Sequence, residues 1–252
     1  MASLVCCFML LVPQTAAAED GRDIMFRVYG RADGDDRHAI MTMTLVNKQD
    51  RKRVRKVESY SKDYGKDRKT AMIFREPADI KGTIFLSWEY DALGRDDDKW
   101  LYMPAMKKDR RISGTSRNEY FMGSDFTYDD MGRRHPDKDR YTVLGEETYK
   151  NHTCWKIECW PLKEETYARR VVWISKEALL LVKADYFDKD GLLKRYEALE
   201  LRKQDGFWSV YSAVMDNVSR GHKTLLETES LRYDLGLQDS LFTVTAMQRG
   251  RL

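Results

Sequence analysis

LLLVKADYFDKDGLLKRYEALELR, residues 179–202, reads as two half-apolar runs around Asp188-Lys189-Asp190-Gly191. An Asp/Gly cluster between two such runs is a hairpin signal, because both residues tolerate the positive φ that a tight turn between twisted strands requires. How often this pattern recurs decides the fold. Strand-like blocks read downstream at 208–215 and 224–233, and upstream at 140–147, 153–160 and 169–174. Farther upstream, residues 40–46, 54–61, 70–76, 82–90 and 100–103 continue the series, separated by polar clusters at 47–51, 62–66 and 91–98. About ten to twelve short strands joined by turns specify a large antiparallel sheet. So many strands in one open sheet curl, and something must fill the hollow.

Two segments depart from this period. Residues 20–29 place Ile24, Met25 and Val28 at helical spacing and predict a short amphipathic helix. Residues 116–131 are aromatic and helix-compatible, with Gly123-Ser124-Asp125-Phe126 at their centre. No internal repeat, low-complexity tract or Pro/Ser-rich linker divides the chain, so residues 19–252 are expected to form a single domain.

At 252 residues with 42% hydrophobic and 34% charged side chains, the composition is that of a globular chain. The 44 basic residues nearly cancel the 41 acidic ones, leaving a net charge of +3, which argues against a dedicated nucleic-acid binder. The first 18 residues read differently. An apolar run at 4–12 and the small residues Ala16-Ala17-Ala18 resemble a secretory signal peptide, and the run is well short of the ~20 residues a membrane span needs. No Lys or Arg precedes Arg22, so the basic start of such a signal is expected to lie upstream. Cys6 and Cys7 would leave with the signal. Cys154 and Cys159, five apart on a strand, fall on opposite faces roughly 16 Å apart, beyond the ~7 Å reach of a disulfide, and are expected to be buried thiols.

Catalytic constellations are absent: there is no HExxH, GxSxG, GxxxxGK or CxxC. His38, His135, His152 and His222 are scattered in polar or turn contexts and read as surface or capping residues. Asp96-Asp97-Asp98 reads as a solvated turn, and Asp188-x-Asp190-Gly191 lacks the remaining ligands of a calcium loop. Asp129-Asp130 has no companion nucleophile and reads as part of a helix face. The basic clusters 51–56 and 107–111 read as strand edges, where Lys and Arg discourage edge-to-edge pairing, with docking on an anionic membrane or a permease as the functional alternative. Six Trp, fourteen Tyr, nine Phe and twelve Met are the informative class. Met41, Met43, Met72, Met103 and Met122 concentrate in the N-terminal half, and methionine suits surfaces that adapt to variable apolar shapes.

Three motifs carry a resemblance. Phe74-x-x-Pro77-x-x-x-Lys81-Gly82-Thr83, the strand Trp100-Leu101-Tyr102-Met103-Pro104 with Arg110-Arg111-Ile112, and Phe121-Met122-Gly123-Ser124-Asp125-Phe126-Thr127-Tyr128-Asp129-Asp130 resemble the bacterial outer-membrane lipoprotein-sorting family, which is LolA-like. The resemblance implies a mainly β fold: a strongly curved antiparallel half-barrel with a few helices covering its concave face. It implies a periplasmic, non-enzymatic and monomeric carrier without cofactor or metal, moving the acyl chains of lipoproteins or lipids toward the outer membrane. The partners implied are an acylated cargo, an inner-membrane transporter or RND-type exporter, and an outer-membrane acceptor. The alternative on the same fold is a lipid sensor or exporter accessory acting by protein contact. Met43, Met72, Phe74, Leu86, Trp88, Leu101, Met103, Phe121 and Phe126 are the expected wall of the acyl cavity, with the segment 121–130 as its lid or rim.

Overall fold

Nearly all regular structure comes from pairing between strands adjacent in sequence. In the computed structural model, which describes residues 19–250, one antiparallel sheet contains thirteen strands. The first six are β1 (Asp36–Val46), β2 (Lys52–Tyr64), β3 (Asp67–Glu76), β4 (Ile84–Glu89), β5 (Asp98–Met103) and β6 (Lys108–Ile112). The other seven are β7 (Asp139–Tyr149), β8 (His152–Pro161), β9 (Arg169–Ser175), β10 (Leu181–Asp188), β11 (Gly191–Gln204), β12 (Phe207–Asn217) and β13 (His222–Tyr233). Each set is a meander, and a β1–β13 pairing joins them, so β6 and β7 are the two edges of a curved sheet that does not close. The expected signal segment, with Cys6 and Cys7, lies outside the described residues.

This topology explains where the cover comes from. The chain leaves the sheet at one edge and re-enters at the other, so residues 113–138 must span the open side. They do so in 3-10 turns and loops, with no α-helix. The expected helical character is corrected here: Met122 (φ 49°) and Gly123 (φ 74°) adopt left-handed conformations that break a helix. A bridge between Tyr120 and Thr127 closes the turn into a small hairpin instead.

Helix α1 (Gly21–Tyr29) forms where expected, with the Asp20 side chain accepting from the Arg22 N–H as N-cap. It inserts Ile24 into the core and packs beside β7. A Cβ at Gly21 would lie 2.7 Å from that of Tyr141, so only glycine permits this approach. A second helix, α2 (Val244–Gln248), follows a 3-10 turn and buries Phe242 and Met247 on the other face of the sheet, against Ala71, Ile73, Ile84 and Leu86. We call the face covered by α1 and residues 113–138 the inner face.

Cys154 and Cys159 are free, buried and in clusters on opposite faces, as the strand period requires. On the outer face, Glu58 accepts from Tyr60 Oη (2.7 Å) and Arg75 Nε (2.7 Å) and pairs with His38 Nε2 (2.8 Å). Burial pushes this carboxyl up, but the hydrogen bonds from Tyr60, His38 and Arg75 hold it down at about 2. A depressed carboxyl contributes fully above its ordinary pKa of 4.5 and loses its contribution as pH falls toward 2. That contribution is at most about 3 kcal/mol. Urea unfolding at pH 7, 4 and 2.5 should therefore show a smaller acid loss for Glu58→Gln than for the wild type; equal losses would contradict the assignment.

Candidate ligand cavity

Strand register sorts the side chains onto the two faces. The pairs Met72–Phe85 and Phe85–Leu101 point inward, and Ala71–Leu86 and Leu86–Trp100 point outward. Of the residues expected to wall a cavity, Met43, Met72, Phe74, Leu101, Met103 and Phe121 come together in one inner-face cluster. Leu86 and Trp88 lie on the outer face, where the Trp88 Nε1–H donates to the Phe242 carbonyl (2.8 Å).

The N-terminal half of the hollow is filled. Phe121 is fully buried, with ring centroids 5.9 Å from Phe74, 5.2 Å from Phe85 and 5.5 Å from Tyr128. Edge-on and tilted rings at these separations form a continuous packed core. The space lies in the other half. A cavity of about 570 Å³ separates α1 and residues 126–134 from the inner face of the C-terminal meander. Met25 and Val28 line it from α1, Phe126 and Met131 from the crossing segment, and Val172, Ile174, Tyr196, Ala213, Met215 and Leu226 from the sheet. Among the expected wall residues, Phe126 alone lines it. Its volume falls in the ordinary range for small-molecule sites.

Buried charges hold the crossing segment in place. Lys194 is fully buried on β11, and its Nζ donates to Asp130 Oδ2 (2.7 Å) and to the Asp125 carbonyl (2.9 Å). Burial lowers the Lys194 pKa, and the Asp130 carboxylate opposes that shift. Asp130 also accepts from the Thr127 N–H (2.7 Å) and from Tyr167 Oη (2.9 Å). Asp125, fully buried, accepts from Thr224 Oγ1 (2.7 Å), pairs with His222 Nδ1 (2.6 Å), and donates its own N–H to Thr224 Oγ1 (2.9 Å). Asp129 faces the buried Lys99 at 3.4 Å. The Gly-Ser-Asp-Phe centre is thereby tied to both β11 and β13.

Several sequence expectations change in this light. Asp129 and Asp130 belong to ion pairs rather than to a helix face. His38 is buried against Glu58 and stacks on Tyr60, and His222 is largely buried against Asp125, so neither is a surface residue. His135 does cap a turn, accepting from the Asp137 N–H. Lys194 went unnoticed in the sequence, although the two-residue period places it on the same face as Tyr196 and Ala198, where a lysine needs a partner.

One end of the cavity is charged. Arg31, Arg37 and Arg68 meet there around Asp33, and Arg133, Arg134, Arg170, Lys138, Asp97 and Glu165 also line the cavity. Arg134 and Arg170 share the buried carboxylate of Asp139, and Arg134 also pairs with Glu165 (2.7 Å). Burial pushes the Asp139 carboxyl up, yet Arg134 and Arg170 hold it below the usual range. No group of His, Cys, Asp and Glu among the described residues is arranged to hold a metal ion, and no described helix is long and apolar enough to cross a membrane.

A family model described as "Uncharacterized protein" matches residues 66–249. No curated protein matches the chain. Among solved structures, a DUF1329 family protein from Desulfovibrio piger is 35% identical, with a TM-score of 0.86 over 90% of this chain and 97% of that one. A domain named as an outer membrane lipoprotein-sorting protein, from Vibrio parahaemolyticus, is 31% identical, with a TM-score of 0.85 over 91% and 98% of the two chains. A LolA superfamily protein from Nitrosomonas europaea shares the fold at 18% identity, with a TM-score of 0.68 over 90% and 99%. These likenesses agree with the motif resemblance, and the chain belongs to the DUF1329 family, built on the LolA-superfamily fold.

Proposed function

We propose that the protein is a non-enzymatic periplasmic carrier that shelters an acyl chain in the C-terminal cavity and moves it toward the outer membrane. The carrying observation is the cavity itself: a space with a mainly apolar wall between the sheet and its cover, beside a part of the same hollow where aromatic side chains pack on one another. The lipoprotein-sorting name of the Vibrio relative and the apolar run at residues 4–12 support the same reading. So does the use of the buried carboxylates Asp125 and Asp130, which are consumed in holding the cover. In this reading residues 19–252 act as one carrier domain, between an inner-membrane donor and an outer-membrane acceptor.

Volume bears on the cargo. At about 30 Å³ per methylene, close to a water molecule's share of liquid volume, the 570 Å³ cavity takes roughly one chain of 16–18 carbons and not three. With about 0.8 kcal/mol per buried CH₂, a chain of that length gains on the order of 13 kcal/mol over exposure to water before ordering costs. That is ample for retention during transit.

Ala213, buried on the cavity wall, provides the test. Ala213→Trp should fill the space and weaken binding of a fluorescent C16 fatty acid at least tenfold, with an unchanged far-UV spectrum. Wild-type protein from a periplasmic extract should carry lipid detectable by native mass spectrometry. Wild-type protein that neither carries nor binds lipid, or full binding by Ala213→Trp, would defeat the reading.

A further inference from the structure

We propose that the charged end of the cavity is a recognition subsite for an anionic headgroup, so that the preferred ligand is a single-chain amphiphile ending in a carboxylate or phosphate. The inference rests on the carrier reading above and specifies its ligand class.

The argument starts from charges that do not balance. Arg68 is almost fully buried and takes both oxygens of Asp33 (2.8 and 2.9 Å) and both of Asp63 (2.5 and 2.9 Å). Two more guanidiniums must share the same Asp33: Arg37 at 3.2 Å and Arg31 at 3.6 Å. Three cations thus meet two carboxylates, both already bonded to the first. Arg31 has one further acceptor, the Trp208 carbonyl at 3.1 Å. Burial lowers the pKa of both Arg31 and Arg37; Asp33 opposes the shift at each, and Arg68 adds to it.

Arg133, on the crossing segment, also lines this cavity. Its Nε lies 3.7 Å from Glu89 Oε2, which accepts the Arg133 backbone N–H at 2.8 Å, while its Nη2 donates to the Lys66 carbonyl at 2.8 Å. Burial raises the Glu89 pKa, and the hydrogen bond from the Arg133 backbone N–H opposes that shift. Arg133 Nε and, across the cavity, Thr166 Oγ1 are buried polar atoms with no hydrogen-bond partner among the described residues, and both residues line the cavity. Unsatisfied buried donors are uncommon in native structures and mark places where a ligand or water completes the network. Of the other acids along the wall, Asp97 and Asp129 share Lys99, Asp130 has Lys194, and Glu165 has Arg134. They do not cancel the excess at Arg31 and Arg37.

Arrangement completes the case. Arg31, Arg37 and Arg133 are partly exposed, with side-chain exposures of 19%, 31% and 24%, whereas the floor residues Met215 and Ala213 are buried. The ligand's charged end would therefore rest at the wetter end while its chain lies against the sheet. Planar guanidiniums suit oxyanions, which they bind through paired N–H donors.

The test compares ligands of equal chain length: palmitate and C16 lysophosphatidic acid against hexadecanol and C16 monoacylglycerol, with inorganic phosphate as a chainless arm. Binding is read by displacement of a fluorescent neutral lipid, and phosphate is also read by calorimetry. The wild type should prefer the anionic lipids at least tenfold and bind inorganic phosphate at least a hundredfold more weakly than lysophosphatidic acid. In the double variant Arg31→Gln/Arg37→Gln the preference should fall below threefold, while affinity for monoacylglycerol stays within twofold. Equal wild-type binding of neutral and anionic lipids would overturn the subsite and leave the carrier reading standing. So would a preference that survives the double variant, or phosphate binding as tight as that of the lipid. Failure of every lipid to bind would instead sink the carrier reading, and this inference with it.

Discussion

Replacing Lys194 with methionine is expected to cost about 3–5 kcal/mol of stability, the range for breaking one side of a buried ion pair. For a chain of this size that lowers the melting temperature by roughly 10 °C or more. The reason is not the loss of an attraction in water, which would be small. Among the described residues Lys194 Nζ is the sole cation bonded to Asp130, and without it that carboxylate keeps only the Thr127 N–H and Tyr167 Oη. The Asp125 carbonyl loses a donor at the same time. Methionine matches the length of the stem, so the effect reports charge rather than packing. Neutralising the orphan in Lys194→Met/Asp130→Asn should recover part of the loss, giving a coupling energy above about 1 kcal/mol. Thermal unfolding of the four proteins measures this directly. A shift below 2 °C in the single variant would mean that the crossing segment is held by something else.

Phe121→Ala is the second large effect, again about 3–5 kcal/mol, from lost transfer energy plus the cavity left behind. Phe121 is fully buried and touches rings from three directions: Phe74 on β3, Phe85 on β4, and Tyr128 of its own segment. Neighbours held on two strands cannot collapse far into the gap. Because the N-terminal half of the hollow is structural, Phe121→Ala should lower stability while leaving ligand binding in the C-terminal cavity within a fewfold of wild type. Chemical denaturation and lipid displacement on the same sample check both halves. Stability within 1 kcal/mol of wild type, or abolished binding in protein that remains folded, would show that the two halves are not divided in this way.

The contrast between these halves marks where sequence reading stops. All strands but one were legible, because alternation and turn residues are local. The exception, β6, is Lys-Asp-Arg-Arg-Ile: an edge strand with four exposed polar residues has no alternation to read. Its basic character was legible as edge protection, which is the position it takes. The five-residue α2 is too short to leave a helical period. The inner-face cluster was partly legible too, since six of the nine residues chosen for greasiness do meet there. Whether a greasy face meets a partner or a void depends on how far its cover stands off. That distance is set by residues remote in sequence, Lys194 with Asp130 and Asp125 with Thr224. The arginine cluster is equally non-local, gathering Arg31, Arg37, Arg68 and Arg133 from four parts of the chain.

Helix α1 carries one more consequence. It roofs the cavity through Met25 and Val28, yet it has only nine residues, below the ~12–15 at which an isolated helix becomes even marginally stable. Its coil-to-helix equilibrium is therefore decided by contact with the sheet: lifted away, it unwinds. Opening the roof and melting the helix are a single thermodynamic event. Lifting α1 from the sheet thus includes the loss of helical hydrogen bonds, and backbone amide exchange in residues 24–30 would register each opening.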